Sequence, residues 1–523
     1  MASKSTRRVR TGSHPPSPIS RLPPELLLDI FKYLVTFSSP TILLQICHHW
    51  EKIASSASSL WVRIDFSTPP TPLLRLSDDR PIEVNLSSSS KGPTSDQFEA
   101  VKDVLSLHKG RIRKLVLDLP MGHIQELETE LSEIFPILAD VSISIPRSDY
   151  FYLGRRNFPT WRPTATPSSP IRCLKLLLVR TPWVPGHFQG LVEFYLHDQW
   201  FFDFDPPIEV FLGILESSPQ LTVLSVANAG PRLAVEARTL PPATRTVHLR
   251  NLRRLYLEQD DPCQVGWILI HLKIPISANI RIFVDLVSGQ NAAPPESLFN
   301  LALPNHPGFP HLTELYRWTY AVDLRPACLI TATNFAFSAK WDGSRHNHFD
   351  YIMMPFLRHV TAVGVIENLS IIDDQHTRYT IGALQWDQIF DTLGALKKLR
   401  VEQSRDKVDS FVWTLQQSQP CSTLRDLWLS YTVFGGRQAS GVESGVAVGR
   451  LVDFCSGRNE KGHRLERLII EVPLNPPLYL APLLAPYVDH VEIMENSSST
   501  EDIWALEFGS RRMFDSLQTR RHD

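Results

Sequence analysis

Apolar residues in this chain follow two different spacings. Between residues 19 and 67 they recur every three or four positions. Leu26, Leu27, Ile30, Phe31 and Leu34 form one apolar stripe, which predicts an amphipathic helix. Pro23 and Pro24 suit its start, where a missing amide hydrogen costs nothing. Glu25 and Asp29 favour its positive end. Ser39 followed by Pro40 marks a second start, with Ser as N-cap and Pro at the first position. Leu43, Leu44, Ile46, Cys47, Trp50 and Ile53 give this second helix a broad apolar face, and residues 58–61 predict a short third turn ending in Trp61.

Beyond residue 110 the spacing changes to apolar, two variable, apolar, one variable, apolar. It occurs at Ile112/Leu115/Leu117, Leu138/Val141/Ile143, Ile171/Leu174/Leu176, Leu191/Phe194/Leu196, Leu221/Leu224/Val226 and Leu252/Leu255/Leu257. It returns at Leu396/Leu399/Val401, Leu424/Leu427/Leu429, Leu465/Leu468/Ile470 and Val488/Val491/Ile493, with weaker forms at Ile282/Val284, Leu312/Leu315 and Leu357/Val360. The alternation within each unit is strand-like. Helical patterns precede several units: Phe98/Val101/Leu105, Ile208/Phe211/Leu212/Leu215, Trp386/Ile389/Phe390/Leu393 and Leu451/Val452/Cys455. A helix followed by a short strand, repeated, predicts a curved parallel sheet with helices on its outer face. Each unit must cover its neighbour's apolar face, so one irregular leucine-rich-repeat solenoid is expected. The mean interval of roughly 31 residues lies above the usual leucine-rich period of about 20–29, and the Asn that marks regular repeats is mostly missing.

Composition adds limits. Proline is high at 41 of 523 residues, against a background of about 5%, which excludes a regular bundle of long helices. Lys plus Arg is 53 and Asp plus Glu is 55, so no global basic excess points to nucleic acid. The six cysteines form no CxxC pair, which argues against a zinc clamp or redox motif and for free thiols in a reducing compartment. No run approaches the 18 or so apolar residues of a membrane span. The first 20 residues carry Lys4, Arg7, Arg8 and Arg10 among Ser and Pro, which reads as a disordered basic tail and not a secretory signal.

The N-terminal pattern is too apolar for its size. A helical module of about 45 residues cannot hold Leu22, Leu26, Ile30, Leu44, Trp50 and Trp61 all inside, so a partner is expected to cover the surplus. The alternative is that these helices pack only on the rest of the chain. The blocks LPPELLLDIFKYL, LLQICHHW and SSLW occur in the order and spacing that resembles an F-box: Leu22-Pro23, Glu25, Leu26, Ile30, Leu34, Cys47, Trp50, Leu60 and Trp61. The style is similar to the expanded F-box families of mushroom-forming fungi, whose members continue with leucine-rich segments. His48-His49 departs from the basic residues many F-boxes carry there. The resemblance implies docking on an SKP-family adaptor, and through it on a cullin–RING ubiquitin ligase. Carried over, Leu22, Pro23, Leu26, Ile30, Leu44, Cys47, Trp50, Leu60 and Trp61 form the adaptor-binding set.

No catalytic set stands out. There is no GxxxxGK[ST], no GxGxxG after a strand and no GxSxG. His346, His348 and Asp350 are the most metal-like group, but DGSRHNHFDY reads as a polar loop, as does Asp373-Asp374 with His376. No cofactor and no metal are expected. Two polar insertions, residues 155–170 and 435–445, read as exposed connections or as loops rimming a binding groove. Trp428 and Trp161 are the candidate target-binding residues.

The domain reading is a basic tail (1–16), an F-box (17–67), a linker with one helix (68–110), the solenoid (111–508) and a C-terminal tail (509–523). The fold class is α/β, a short all-helical module followed by the solenoid. The expected role is that of a cytoplasmic or nuclear substrate receptor of an SCF-type ligase, without catalysis of its own. Its partners would be the SKP-family adaptor and a target protein, with no membrane. A non-ligase scaffold is the alternative. A nucleic-acid binder using Arg7, Arg8 and Arg10 is a weaker one.

Overall fold

The computed structural model describes residues 22–37, 39–66, 68–87, 92–146, 158–162, 171–183, 188–199, 207–231, 242–243, 245–259, 261–275, 277–285, 314–323, 325–332, 335–340, 358, 366–373, 383–418, 421–432, 448–472 and 479–495. The tails, the segment 435–445, the group around His346 and the weak unit at Leu357/Val360 lie outside these residues. Two compact units emerge. One is built from the described residues between 22 and 146, and the other from residues 158–161 and those between 171 and 495.

The first unit begins with helix α1 (Pro24–Phe37). Leu27 and Phe31, one turn apart, are wholly buried. Trp50 meets Phe31 with ring centroids 4.7 Å apart. The predicted second helix is broken. A 3-10 turn (Pro40–Ile42) leads into α2 (Leu43–Ile46), Cys47 is extended at φ −163° and ψ 161°, and α3 (His48–Ser56) follows. Ser39 does not cap the backbone; its hydroxyl pairs with that of Thr41 at 2.9 Å. The break lets Leu43, Trp50 and Ala54 bury while Ile46 and Cys47 stay outside. Trp61 closes the module, wholly buried, and its indole N–H donates to the Ala54 carbonyl at 2.7 Å, as a buried Trp requires.

Residues 68–110 are not a linker with one helix. They form α4 (Pro70–Leu76), β2 (Ile82–Ser87) and α5 (Ser95–His108). Strand β2 pairs parallel with β1 (Arg63–Ile64) on one side and β3 (Ile112–Asp118) on the other, and β3 pairs with β4 (Asp140–Ser144). Ile82, Val84 and Leu86 alternate into the core. Val84 and Leu86 lie opposite Leu115 and Leu117, so the leading position of the motif falls on Pro81, and Ile82 meets Ile112 only through a register shift. Thr94 and Gln97 form a reciprocal capping box at the start of α5, and the short helices α6 (Met121–Glu126) and α7 (Glu128–Leu131) follow β3.

In the second unit β5 (Cys173–Leu177), β6 (Glu193–His197), β7 (Val223–Ala227), β9 (Arg254–Gln259) and β11 (Asn279–Asp285) pair parallel in turn. The register aligns the motif positions: Leu174, Phe194, Leu224, Leu255 and Ile280 form one row, and Leu176, Leu196, Val226, Leu257 and Ile282 the next. All are buried. Short strands β8 (Val247–His248) and β10 (Leu272–Lys273) make a separate parallel pair. Helix α8 (Ile208–Glu216) buries Phe211, Leu212, Ile214 and Leu215.

Buried amides tie neighbouring units together where the strands end. Asp198 and Asn228 adopt positive φ, and Asn228 Nδ2 donates to Asp198 Oδ1 at 3.0 Å. Gln199 donates to the Val179 carbonyl at 2.6 Å and Gln259 to that of Ala229 at 2.8 Å. The two glutamine bonds satisfy backbone carbonyls that leave the ladder.

Between β11 and β15 (Asn368–Asp373) the simple order is interrupted. Strands β12 (Glu314–Asp323), β13 (Arg325–Ala332) and β14 (Phe335–Lys340) lie in the sheet as β11-β14-β13-β12-β15. Of the described strands in this sheet only β13 runs antiparallel to its neighbours. One residue separates β12 from β13 and two separate β13 from β14, far too few for a parallel crossover. Order then returns with β16 (Lys398–Ser404), β17 (Asp426–Thr432), β18 (Leu465–Val472) and β19 (Val488–Glu495), all parallel. The intervening helices are α10 (Ala383–Thr392), α11 (Arg405–Ser418) and α12 (Val448–Glu460), numbering Pro262–Ile270 as α9. Trp386 and Phe411 meet between the first two, centroids 4.3 Å apart.

Candidate functional site

Two surfaces leave side chains unused by the core. The first is on the helical module. Leu26, Ile30 and Tyr33 occupy one face of α1, opposite Leu27 and Phe31, and are 51%, 37% and 67% exposed. Ile42 and Ile46 on the following turns are 46% and 51% exposed. Five large apolar or aromatic side chains within one small module are more than scattered surface residues account for. Because each is already about half covered, burying the rest under a partner contributes about 0.7–1.5 kcal/mol apiece.

The structure divides the predicted adaptor-binding set. Pro23, Leu26, Ile30 and Cys47 are exposed, and Leu22 and Leu44 are half-buried. Trp50, Leu60 and Trp61 are buried within the chain itself. They form the support for the surface and not the surface: Trp50 packs its ring on Phe31, and Trp61 donates to the Ala54 carbonyl. Sequence reasoning overlooked Tyr33 and Ile42. The signal was present for Tyr33, which follows Leu26 by seven and Ile30 by three positions, on the same helical face. The charged groups nearby form only solvent-exposed local pairs, Lys32 with Asp29 at 2.8 Å and His48 with Glu51 at 3.2 Å. Such pairs contribute little.

The second surface is the strand face turned away from the apolar rows. Residues of one strand alternate between the two faces, so Leu427 and Leu429 join the core while Trp428 stands opposite them. Trp428 is half-buried and in register with Arg400 and Ile469. The Arg400 guanidinium lies 4.0 Å from the indole centroid and pairs with Glu402 at 3.0 Å and Glu471 at 3.9 Å. Lys398 pairs with Asp426 at 3.3 Å and Arg467 with Glu492 at 2.8 Å. The C-terminal strands thus present an aromatic centre within neutralised charges.

Trp161 stands elsewhere. It is buried at 3% exposure, 6.4 Å from Phe188 between ring centroids. Its amide donates to the Arg180 carbonyl at 2.8 Å, and Thr160 bridges Arg180 in parallel. Part of the Pro-rich insertion is therefore core, and Trp161 does not belong to a binding surface.

Among the described residues no group of three or more His, Cys, Asp or Glu side chains could hold a metal ion. No described helix is long and apolar enough to cross a membrane. Burial pushes the Cys455 thiol up to about 12 and that of Cys421 to about 11, far from the range of a reactive thiolate.

Residues 19–67 match the F-box-like family model. No curated protein matches the chain. F-box domains typically bind an SKP-family adaptor, and the proteins that carry them are typically non-catalytic adaptors in ubiquitin ligase complexes. The match thus supports an F-box protein: an N-terminal helical F-box region followed by a mixed α/β region with parallel sheets.

Proposed function

We propose that this chain is the substrate-recognition subunit of an SCF-type cullin–RING ubiquitin ligase. The carrying observation is the exposed apolar face of Leu26, Ile30, Tyr33, Ile42 and Ile46 on the segment that matches the F-box-like family. That face docks on an SKP-family adaptor. The α/β region, read as an irregular leucine-rich-repeat array, binds the target on its strand face, with Trp428 as one contact. Holding the target beside a charged conjugating enzyme raises its effective concentration there. No residue of this chain does bond chemistry, and the place of action is the cytoplasm or nucleus. The resemblance to the repeat-bearing F-box families of mushroom-forming fungi belongs to this reading.

Co-purification tests it. The wild-type chain is expected to recover an SKP-family adaptor and a cullin, and Leu26→Asp/Ile30→Asp to recover neither while folding normally. A wild-type chain that recovers neither leaves the scaffold reading.

A further inference from the structure

We propose that the outer edge and apolar side of β19 dock residues 503–508 of this same chain as an antiparallel strand, which closes the C-terminal end of the parallel array. The register shows where cover is missing. Leu468 and Ile470 of β18 lie opposite Val491 and Ile493 of β19. The two β18 residues are wholly buried, whereas Val491 and Ile493 are only half-buried. The same two rows are buried at Leu427 and Leu429 on β17 and at Leu399 and Val401 on β16. Burial is thus lost at the last strand of the run. Helix α13 (Leu480–Leu484) packs on β19. It buries Leu480 and Leu484 and leaves Leu483 exposed, with Tyr479 exposed four positions earlier.

Among the described residues β19 pairs with β18 alone, so no described strand takes up the N–H and C=O groups of its outer edge. An array of stacked units needs a cover at its end, and an open edge invites pairing with another chain.

The sequence supplies a cover of the right kind. Residues 503–508 lie outside the described residues and read IWALEF. Trp504, Leu506 and Phe508 alternate with Ala505 and Glu507, so a strand here puts three large apolar side chains on one face. That face suits the half-buried Val491 and Ile493 and the exposed Leu483. Gly509 follows as a stop signal.

Direction and occupant follow from the connection. Residues 496–502 read NSSSTED, seven residues rich in turn formers. A parallel crossover needs about a dozen residues or more, so the returning strand runs antiparallel. The same device occurs within this sheet at β13. A Ser-rich connection of seven residues has an r.m.s. span of about 15 Å. It holds the segment beside β19 at an effective concentration on the order of millimolar. A second copy at micromolar concentration cannot compete. The end of the array is then closed by the chain itself and is not open to an edge-pairing partner.

The test is hydrogen exchange of the full chain, followed by peptide mass spectrometry. Residues 488–495 and 503–508 are both expected to exchange more than about tenfold slower than a free peptide. Trp504→Ser/Leu506→Ser/Phe508→Ser is expected to speed exchange in both segments by more than about tenfold, with β5–β7 unchanged. Leu506→Ser alone, the milder change, is expected to act in the same direction. Ala505→Ser/Glu507→Gln alters the opposite face and is expected to change exchange less than about twofold. Protection that stays constant over roughly a fiftyfold range of chain concentration supports pairing within one chain. Fast exchange of residues 503–508 in the wild-type chain overturns the proposal. So does protection of residues 488–495 that survives the triple substitution. Protection that rises with chain concentration also overturns it, and makes a second copy the occupant.

Discussion

The helical module and the α/β region use apolar residues in opposite ways. In the α/β region the motif positions of successive strands stack in register and disappear from solvent, from Leu174 through Leu257 and again from Leu399 to Ile470. Helices of the same chain pack on several of these strands, among them α9 on β9, α11 on β16 and β17, and α12 on β18. In the module, Leu27, Phe31, Trp50 and Trp61 are enough to build the interior, and Leu26, Ile30, Tyr33, Ile42 and Ile46 are left outside. The first arrangement gives stability; the second leaves apolar surface in water, the kind of surface that a partner would cover. Apolar content alone therefore does not separate core from interface. What separates them is whether the chain supplies a cover.

The sharpest way to break this contrast is a pair of substitutions of similar size. Trp386→Ala removes a wholly buried ring packed on Phe390 and Phe411 and is expected to cost about 3–5 kcal/mol in urea unfolding. Leu26→Asp, half exposed, is expected to cost under about 0.5 kcal/mol and yet to abolish adaptor capture. Equal destabilisation by the two would show that Leu26 belongs to the core. Trp50→Ala is unsuitable as an interface test, because loss of its packing on Phe31 would unfold the module first.

A smaller effect is expected at Arg458. Its guanidinium is buried and donates to the carbonyls of Cys421 at 2.9 Å, Leu424 at 2.9 Å and His463 at 3.0 Å, and burial lowers its pKa. It fastens the turn before β17 to the end of α12. Arg458→Ala leaves these carbonyls without that donor and is expected to cost about 2–3 kcal/mol, with adaptor capture retained. A Tm equal to that of the wild type would show that the turn is held by other contacts.

The smallest effect is chemical. With its thiol pushed up to about 12, Cys455 carries on the order of one thiolate in ten thousand at pH 8. Exposed Cys47 is expected to alkylate first under iodoacetamide, as followed by peptide mass spectrometry, and to be shielded once adaptor is bound. Labelling of Cys455 at a matching rate would mean that α12 opens readily.

Much of the architecture was legible because burial imposes a period. Ten clear apolar triplets mark strands observed at their positions, and the helix patterns before Leu221, Leu396 and Leu465 mark α8, α10 and α12. Three features escaped. Strand β2 lacks the leading apolar residue. The β12–β14 hairpins depend on connections of one and two residues, a matter of turn length and not of period. The break at Cys47 separates two half-helices whose residues would also suit one continuous helix.

The site was legible only in part, and the reason lies in side-chain direction. A hydrophobic pattern reports that a residue prefers to leave water, and says nothing of what will cover it. Trp50, Leu60, Trp61 and Trp161 share their chemistry with the exposed apolar residues, and tertiary packing put them inside. Charge follows the same rule. Nothing along the chain marks Arg400 and Arg467 as paired. Only the register of neighbouring strands brings Arg400 within reach of Glu471 and Arg467 within reach of Glu492. The sequence by itself determined the periods, and with them the helices, the strands and the module that matches the F-box-like family. The tertiary structure decided which apolar groups remain exposed and which charges meet a partner, because both depend on neighbours far away in the chain.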